Sequence, residues 1–166
     1  MMLGISLSTF TLLHVIISLA GLGTGFIVLF GLLNSKPLDG WTAIFLTTTV
    51  LTSVTGFMFP FEGLKPSYVV AAISLAVLAV AIWARYGAHL AGAWRGTYVV
   101  TAAIALYFNC FVAVFQAFAK IPVLHAMAPT QTEAPFLIAQ CLVLAIFVWL
   151  TWRAAKRFHV GPIRST

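Results

Sequence analysis

The side chains able to do chemistry are few: four histidines, two cysteines and three carboxylates among 166 residues. A bis-histidine haem needs two imidazoles at matching depth on facing helices. Only His14 lies inside a long apolar stretch, whereas His89, His125 and His159 fall in polar connections or the tail. Copper would suit thioether and imidazole ligands. Met1, Met2, Met58 and Met127 are expected on the same side as His14 and His125, and His125-Ala126-Met127 is the most compact candidate. Methionine is also an ordinary apolar filler, and no dense cluster forms. Cys110 and Cys141 lie in different apolar stretches with no C-x-x-C spacing, so they read as small apolar residues. Asp39, Glu62 and Glu133 all fall in connections. General acid–base work needs such groups within reach of one another, and a proton pump needs them inside the spans. No catalytic residue, metal ligand or cofactor is assigned.

What remains is uncharged hydrogen bonding. His14, Thr52, Thr55, Asn109, Gln116 and Gln140 are polar side chains within apolar stretches. Polar groups in lipid are costly unless satisfied, and they mark binding cavities. These six are the expected ligand-binding set, gathered in the outer half of the bundle beneath the connection 120–134, which carries Pro122 and Pro129. The alternative is that they bond one another across helices, at about 0.6 kcal/mol per pair.

The elements that position them follow from composition. The chain is 62% apolar and 7% charged, against roughly 45–50% and about 25% for a soluble domain. This is a membrane composition, and it excludes a soluble enzyme, a disordered chain and a disulfide scaffold. A crossing helix needs about 20 apolar residues. Five stretches qualify, at about 9–33, 41–59, 66–86, 94–119 and 135–152, the second stopped by Pro60 and the third opened by Pro66. The expected fold is therefore all-α, a single domain over 1–166 built as an integral membrane bundle of five transmembrane helices. Strand-like alternation is missing, which argues against a barrel. Residues 1–34 contain no Lys or Arg and the apolar run continues past any cleavage site, so the first stretch reads as a retained span.

Charge gives the expected direction. With the C-terminus cytoplasmic and the N-terminus outside, Lys36, Arg85, Arg95, Arg153, Lys156, Arg157 and Arg164 fall inside, leaving Lys65 and Lys120 outside. That matches the positive-inside rule. The net charge of +6 is then a topology and headgroup signal. No soluble module carries a basic face interleaved with aromatics, so no nucleic-acid partner is expected.

Advancing about 100° per residue sorts the faces. In the fourth span Ala102, Ala105, Asn109, Ala113, Gln116 and Lys120 share a stripe. Tyr107, Phe108, Phe111, Phe115 and Phe118 lie opposite and are expected to face lipid. In the first span Thr11, His14, Ser18, Gly21 and Gly25 align, and the G-x-x-x-G step lets backbones approach closely. That face would pack within the bundle, or against a second copy or a larger membrane complex. Ala71, Ser74, Ala81 and Arg85 align in the third span, and Thr48, Thr52 and Thr55 in the second. Trp41, Trp83, Trp94, Trp149 and Trp152 sit near the inner boundary as interfacial anchors.

The expected function is a non-enzymatic multi-pass protein of a bacterial cytoplasmic (inner) membrane. It would be a small accessory subunit or binding protein with an outer pocket for a quinone, lipid or other apolar ligand. The alternatives are a carrier or channel for a small neutral solute, and a haem- or copper-binding redox protein using His14.

Overall fold

The computed structural model describes residues 6–59 and 66–160, with the side chains of residues 66 and 67 excepted. Met1, Met2, Pro60, Glu62, Lys65 and Arg164, which entered the sequence reading, lie outside the described residues. The structure is 84% helix with no strand among the described residues. Six helices follow in order: α1 (Leu7–Leu33), α2 (Asp39–Phe57), α3 (Pro66–Ile82), α4 (Trp94–Lys120), α5 (Pro122–Met127) and α6 (Ala134–Arg157). A π-helical turn, Trp83–Gly87, extends α3.

Four helices, not five, are long and apolar enough to cross a membrane: α1, α3 with its π turn, α4 and α6. The correction concerns α2. It has 19 residues, but five threonines and a serine between positions 47 and 55 dilute its apolarity. It nevertheless runs antiparallel along the length of α1. Leu38 meets Gly31, Phe45 meets Gly25, Thr48 and Thr49 meet Gly21, and Thr55 meets His14. The hydroxyls survive among apolar neighbours because they bond carbonyls one turn back. Thr48 donates to Ile44 O at 2.7 Å, Thr52 to Thr48 O at 2.9 Å and Thr55 to Leu51 O at 2.7 Å. Such back-bonding satisfies the hydroxyl without a partner helix.

The turn from α1 to α2 is a Schellman closure. Lys36 N–H donates to Gly31 O at 2.8 Å and Ser35 N–H to Leu32 O at 3.2 Å. Ser35 takes the left-handed conformation at φ 54°, where glycine is usual. The serine has another use: its hydroxyl donates to Arg157 O and accepts His159 N–H, tying the end of α6 to this turn. Phe158 completes the closure, buried against Tyr98 with ring centroids 6.4 Å apart.

These contacts bring the end of α1, the start of α2, the π turn, the start of α4 and the end of α6 to one end of the bundle. Lys36, Arg85, Arg95, Arg153, Lys156 and Arg157 all sit on those segments. Lys120 ends α4 at the opposite end. The five tryptophans lie near the basic end and are all exposed, as an interfacial belt requires.

The core fills the half nearer the basic end. Leu29, Leu32, Phe45, Leu78, Val99 and Leu106 are buried there as one cluster. The α1 seam is set by Gly25, where an added Cβ would lie 2.4 Å from Leu106 Cδ1 and 2.8 Å from Phe45 Cε2. At Gly21 it would lie 3.2 Å from Thr48 Oγ1 and 3.4 Å from Thr49 Oγ1. This pair of glycines thus serves close approach of α1 to α2 and α4 within the chain. In α3, Ser74, Leu78, Ala81 and Arg85 form the buried stripe.

Part of the aromatic face of α4 is turned to α6 rather than outward. Tyr107 packs on Phe147 of α6, with ring centroids 5.8 Å apart. Phe118 is buried against Phe136, edge to face at 5.4 Å. α6 covers this side because Phe136 and Phe147 supply matching rings. The connection 120–134 folds into α5 and seats on α4 and α6: Ala128 is buried with Phe118 and Phe136, and Gln131 Nε2 donates to Phe115 O at 3.1 Å.

Candidate functional site

α1 and α2 hold His14 and Thr55 together at the end opposite the basic cluster. The imidazole Nδ1 lies 2.7 Å from Thr55 Oγ1. A hydroxyl has one proton, and that of Thr55 can go to Leu51 O at 2.7 Å or to the imidazole. With the proton on Leu51 O, Thr55 Oγ1 accepts and His14 Nδ1 carries the hydrogen. In neutral imidazole this leaves Nε2 as a lone-pair acceptor. Nε2 has no hydrogen-bond partner among the described residues.

Aromatic rings frame the imidazole. Phe59 stands edge to face with His14 at 5.2 Å and with Phe10 at 5.1 Å. Gly56 borders the same space: a Cβ there would meet His14 Cε1 at 3.9 Å and nothing else within 4 Å. The result is a half-buried notch with apolar walls and one nitrogen able to accept a hydrogen bond.

The other expected site residues are distributed differently. Thr52 lies one turn below Thr55, its hydroxyl bonded to Thr48 O. Asn109 points to the α1–α2 seam and its Nδ2 donates to Thr49 Oγ1 at 3.2 Å. Gln140 lies across α4, where its Nε2 donates to Phe111 O at 3.1 Å. Its Oε1 is buried with no hydrogen-bond partner among the described residues. Gln116 is exposed. The structure thus joins His14 with Thr55, and seats Asn109 and Gln140 in separate interhelical contacts. Cys110 is buried and Cys141 exposed, both as free thiols.

The deepest polar cluster is one that sequence spacing did not single out. Arg85, in the π turn, is 5% exposed. Its Nη2 is ion-paired with Asp39 and donates to Pro37 O at 3.2 Å. The guanidinium lies over the Tyr98 ring at 5.2 Å and the Tyr86 ring at 5.7 Å. Tyr98 and Thr42 are completely buried beside it. Nη1 is buried without a hydrogen-bond partner among the described residues. The cluster locks the α1–α2 turn to α3 and α4. The only sequence sign of it was Arg85 falling in line with Ser74 and Ala81. Thr49, which receives Asn109, was likewise missed, because it lies off the Thr48–Thr52–Thr55 face.

Outside the spans, Glu133 precedes α6. Its carboxylate accepts from Thr130 Oγ1 at 2.8 Å and from the amides of Thr130 and Thr132, each at 3.1 Å. The Thr130 hydroxyl, with these amides, holds its carboxyl below the usual glutamate range.

No family model, curated protein or solved structure matches the chain.

Proposed function

We propose that this multi-pass membrane protein is a small non-enzymatic binding or accessory subunit. On this reading it holds an apolar ligand by a hydroxyl group at the His14 notch. The observation that carries it is His14, held at Nδ1 by Thr55 beside Phe59 and Gly56, with no hydrogen-bond partner at Nε2 among the described residues. An imidazole within a membrane helix needs a reason, and this one has an unused ring nitrogen, which in the Nδ1–H tautomer is an acceptor. A ligand that donates a hydrogen bond fits, as a quinol or another membrane phenol does. The oxidised quinone offers only acceptors and would require the other imidazole tautomer.

The basic end is read as cytoplasmic by the positive-inside rule, in a bacterial cytoplasmic membrane. The notch then opens toward the outer leaflet, at the end where α1 begins. A path for a neutral solute through the bundle is less well supported. It would have to cross the layer filled by Leu29, Leu32, Phe45 and Leu106, each no more than 2% exposed.

The test is ligand retention from native membranes. The protein is purified in mild detergent, extracted with organic solvent, and the extract resolved by chromatography and mass spectrometry. A hydroxylated apolar compound should accompany the unaltered protein and Gln140→Leu, and be lost from His14→Ala and Gly56→Leu. Equal retention by folded His14→Ala and the unaltered protein would exclude the site.

A further inference from the structure

α6 presents a second feature, independent of the notch. It is the least buried of the four crossing helices. A shallow, open trough lies on its outer face, lined by Cys141, Leu144, Ala145, Val148, Trp149 and Trp152. Cys141 and Ala145 are its small side chains. Eleven residues separate its ends, about 16 Å of helix, close to the ~15 Å of one hydrocarbon leaflet.

The trough ends in positive charge. Arg153 lies over the Trp149 ring at 4.8 Å, and Lys156 Nζ over the Trp152 ring at 4.1 Å. Both cations are thereby fixed at the mouth of the apolar trough by cation–π attraction. Neither is paired with a carboxylate among the described residues, where Asp39 is taken by Arg85 and Glu133 precedes the first turn of α6. Two positioned cations above a leaflet-length trough complement a phosphate group above an acyl chain.

We infer that this face of α6 binds one anionic phospholipid, with an acyl chain along Ala145 and the phosphate between Arg153 and Lys156. A neighbouring protein helix could cover the apolar trough, but it would leave the paired cations without a counter-charge. The indole rings have a double part: they hold the cations and flank the upper acyl chain.

The test uses the intact chain, with Trp41, Trp83 and Trp94 replaced by Phe so that emission reports Trp149 and Trp152. It is reconstituted into phosphatidylcholine vesicles containing phosphatidylglycerol, with brominated acyl chains on one lipid or the other. Brominated phosphatidylglycerol should quench more strongly at equal mole fraction. Each of Arg153→Gln and Lys156→Gln should weaken its relative association about fivefold, the effect of about one surface cation. Lys120→Gln, at the opposite end, should leave it unchanged. Ala145→Leu fills the trough while keeping both charges, and should also reduce the preference. Equal quenching by the two lipids, a preference that survives both cation substitutions, or emission shielded from both brominated lipids by a bound protein would each overturn the inference.

Discussion

Replacing Gly25 with alanine should break the most crowded seam in the bundle. The new Cβ would lie 2.4 Å from Leu106 Cδ1 and 2.8 and 3.0 Å from two atoms of the Phe45 ring. Both neighbours are 1% exposed and have nowhere to retreat. Overpacking of this kind costs about 1–3 kcal/mol. Gly23, two residues away on the same helix, has nothing within 4 Å of its added Cβ. There alanine should stabilise by about 0.5–1 kcal/mol through backbone entropy. The two substitutions are chemically identical, so their difference isolates packing and should be about 1–3 kcal/mol, roughly 5- to 150-fold in the unfolding equilibrium. Gly21→Ala should fall between them, because Thr48, Thr49 and Asn109 lie 3.2 to 3.6 Å from its added Cβ and need shift only slightly. The assay is reversible unfolding in mixed micelles of mild and denaturing detergent, followed by circular dichroism. Gly25→Ala as stable as Gly23→Ala would refute the seam. So would a Gly25→Ala penalty that changes with protein concentration, since the contact would then lie between copies.

Three further outcomes are expected. Asp39→Asn should cost more stability than Arg85→Met in the same detergent unfolding assay: the first removes the counter-charge of a buried guanidinium, whereas the second leaves an exposed carboxylate in water. A double-mutant cycle with Asn109→Leu and Thr49→Val should give a coupling of about 0.6 kcal/mol and no more than about 1.7, and a coupling near zero would remove the Asn109–Thr49 bond from the account. The Glu133 carboxyl is depressed by its Thr130 and Thr132 partners, so its support of the turn before α6 is fully present above the ordinary glutamate value of about 4.3 and is lost as pH falls below it. Amide exchange at Thr130 and Thr132 should report that loss, after correction for intrinsic exchange, and Glu133→Gln should abolish the pH dependence.

Much of the architecture was legible because apolar length and charge are read directly from residues. α1, α3, α4 and α6 appear where the sequence predicts them, and the basic residues and tryptophans collect near one end. Two errors have physical causes. Hydroxyl back-bonding lets α2 pack along α1 while its composition falls short of a crossing helix. Tyr107 and Phe118 of α4 meet α6 where periodicity predicts lipid, because lipid and a neighbouring helix are equally apolar and periodicity alone cannot tell Phe147 from an acyl chain. The candidate site was legible only in part. His14 and Thr55 meet as their shared depth suggests, but depth says nothing about lateral position, and Gln140 lies on the far side of α4. Arg85 is buried in line with Ser74 and Ala81 as periodicity implies, but its partners Asp39 and Tyr98 stand on other helices, which periodicity along one helix does not reveal.

The central claim is that His14 offers an unprotonated Nε2 to a hydroxyl-bearing ligand. Nitrogen-15 spectra of histidine-labelled protein in lipid bilayers, assigned with His14→Gln, test it directly. The expected result is a neutral His14 with hydrogen on Nδ1 and a lone pair on Nε2. Adding a short-chain quinol should shift the Nε2 resonance, whereas the corresponding quinone should shift it little. Hydrogen on Nε2 in the ligand-free protein, or an Nε2 resonance indifferent to a quinol that binds, would contradict it.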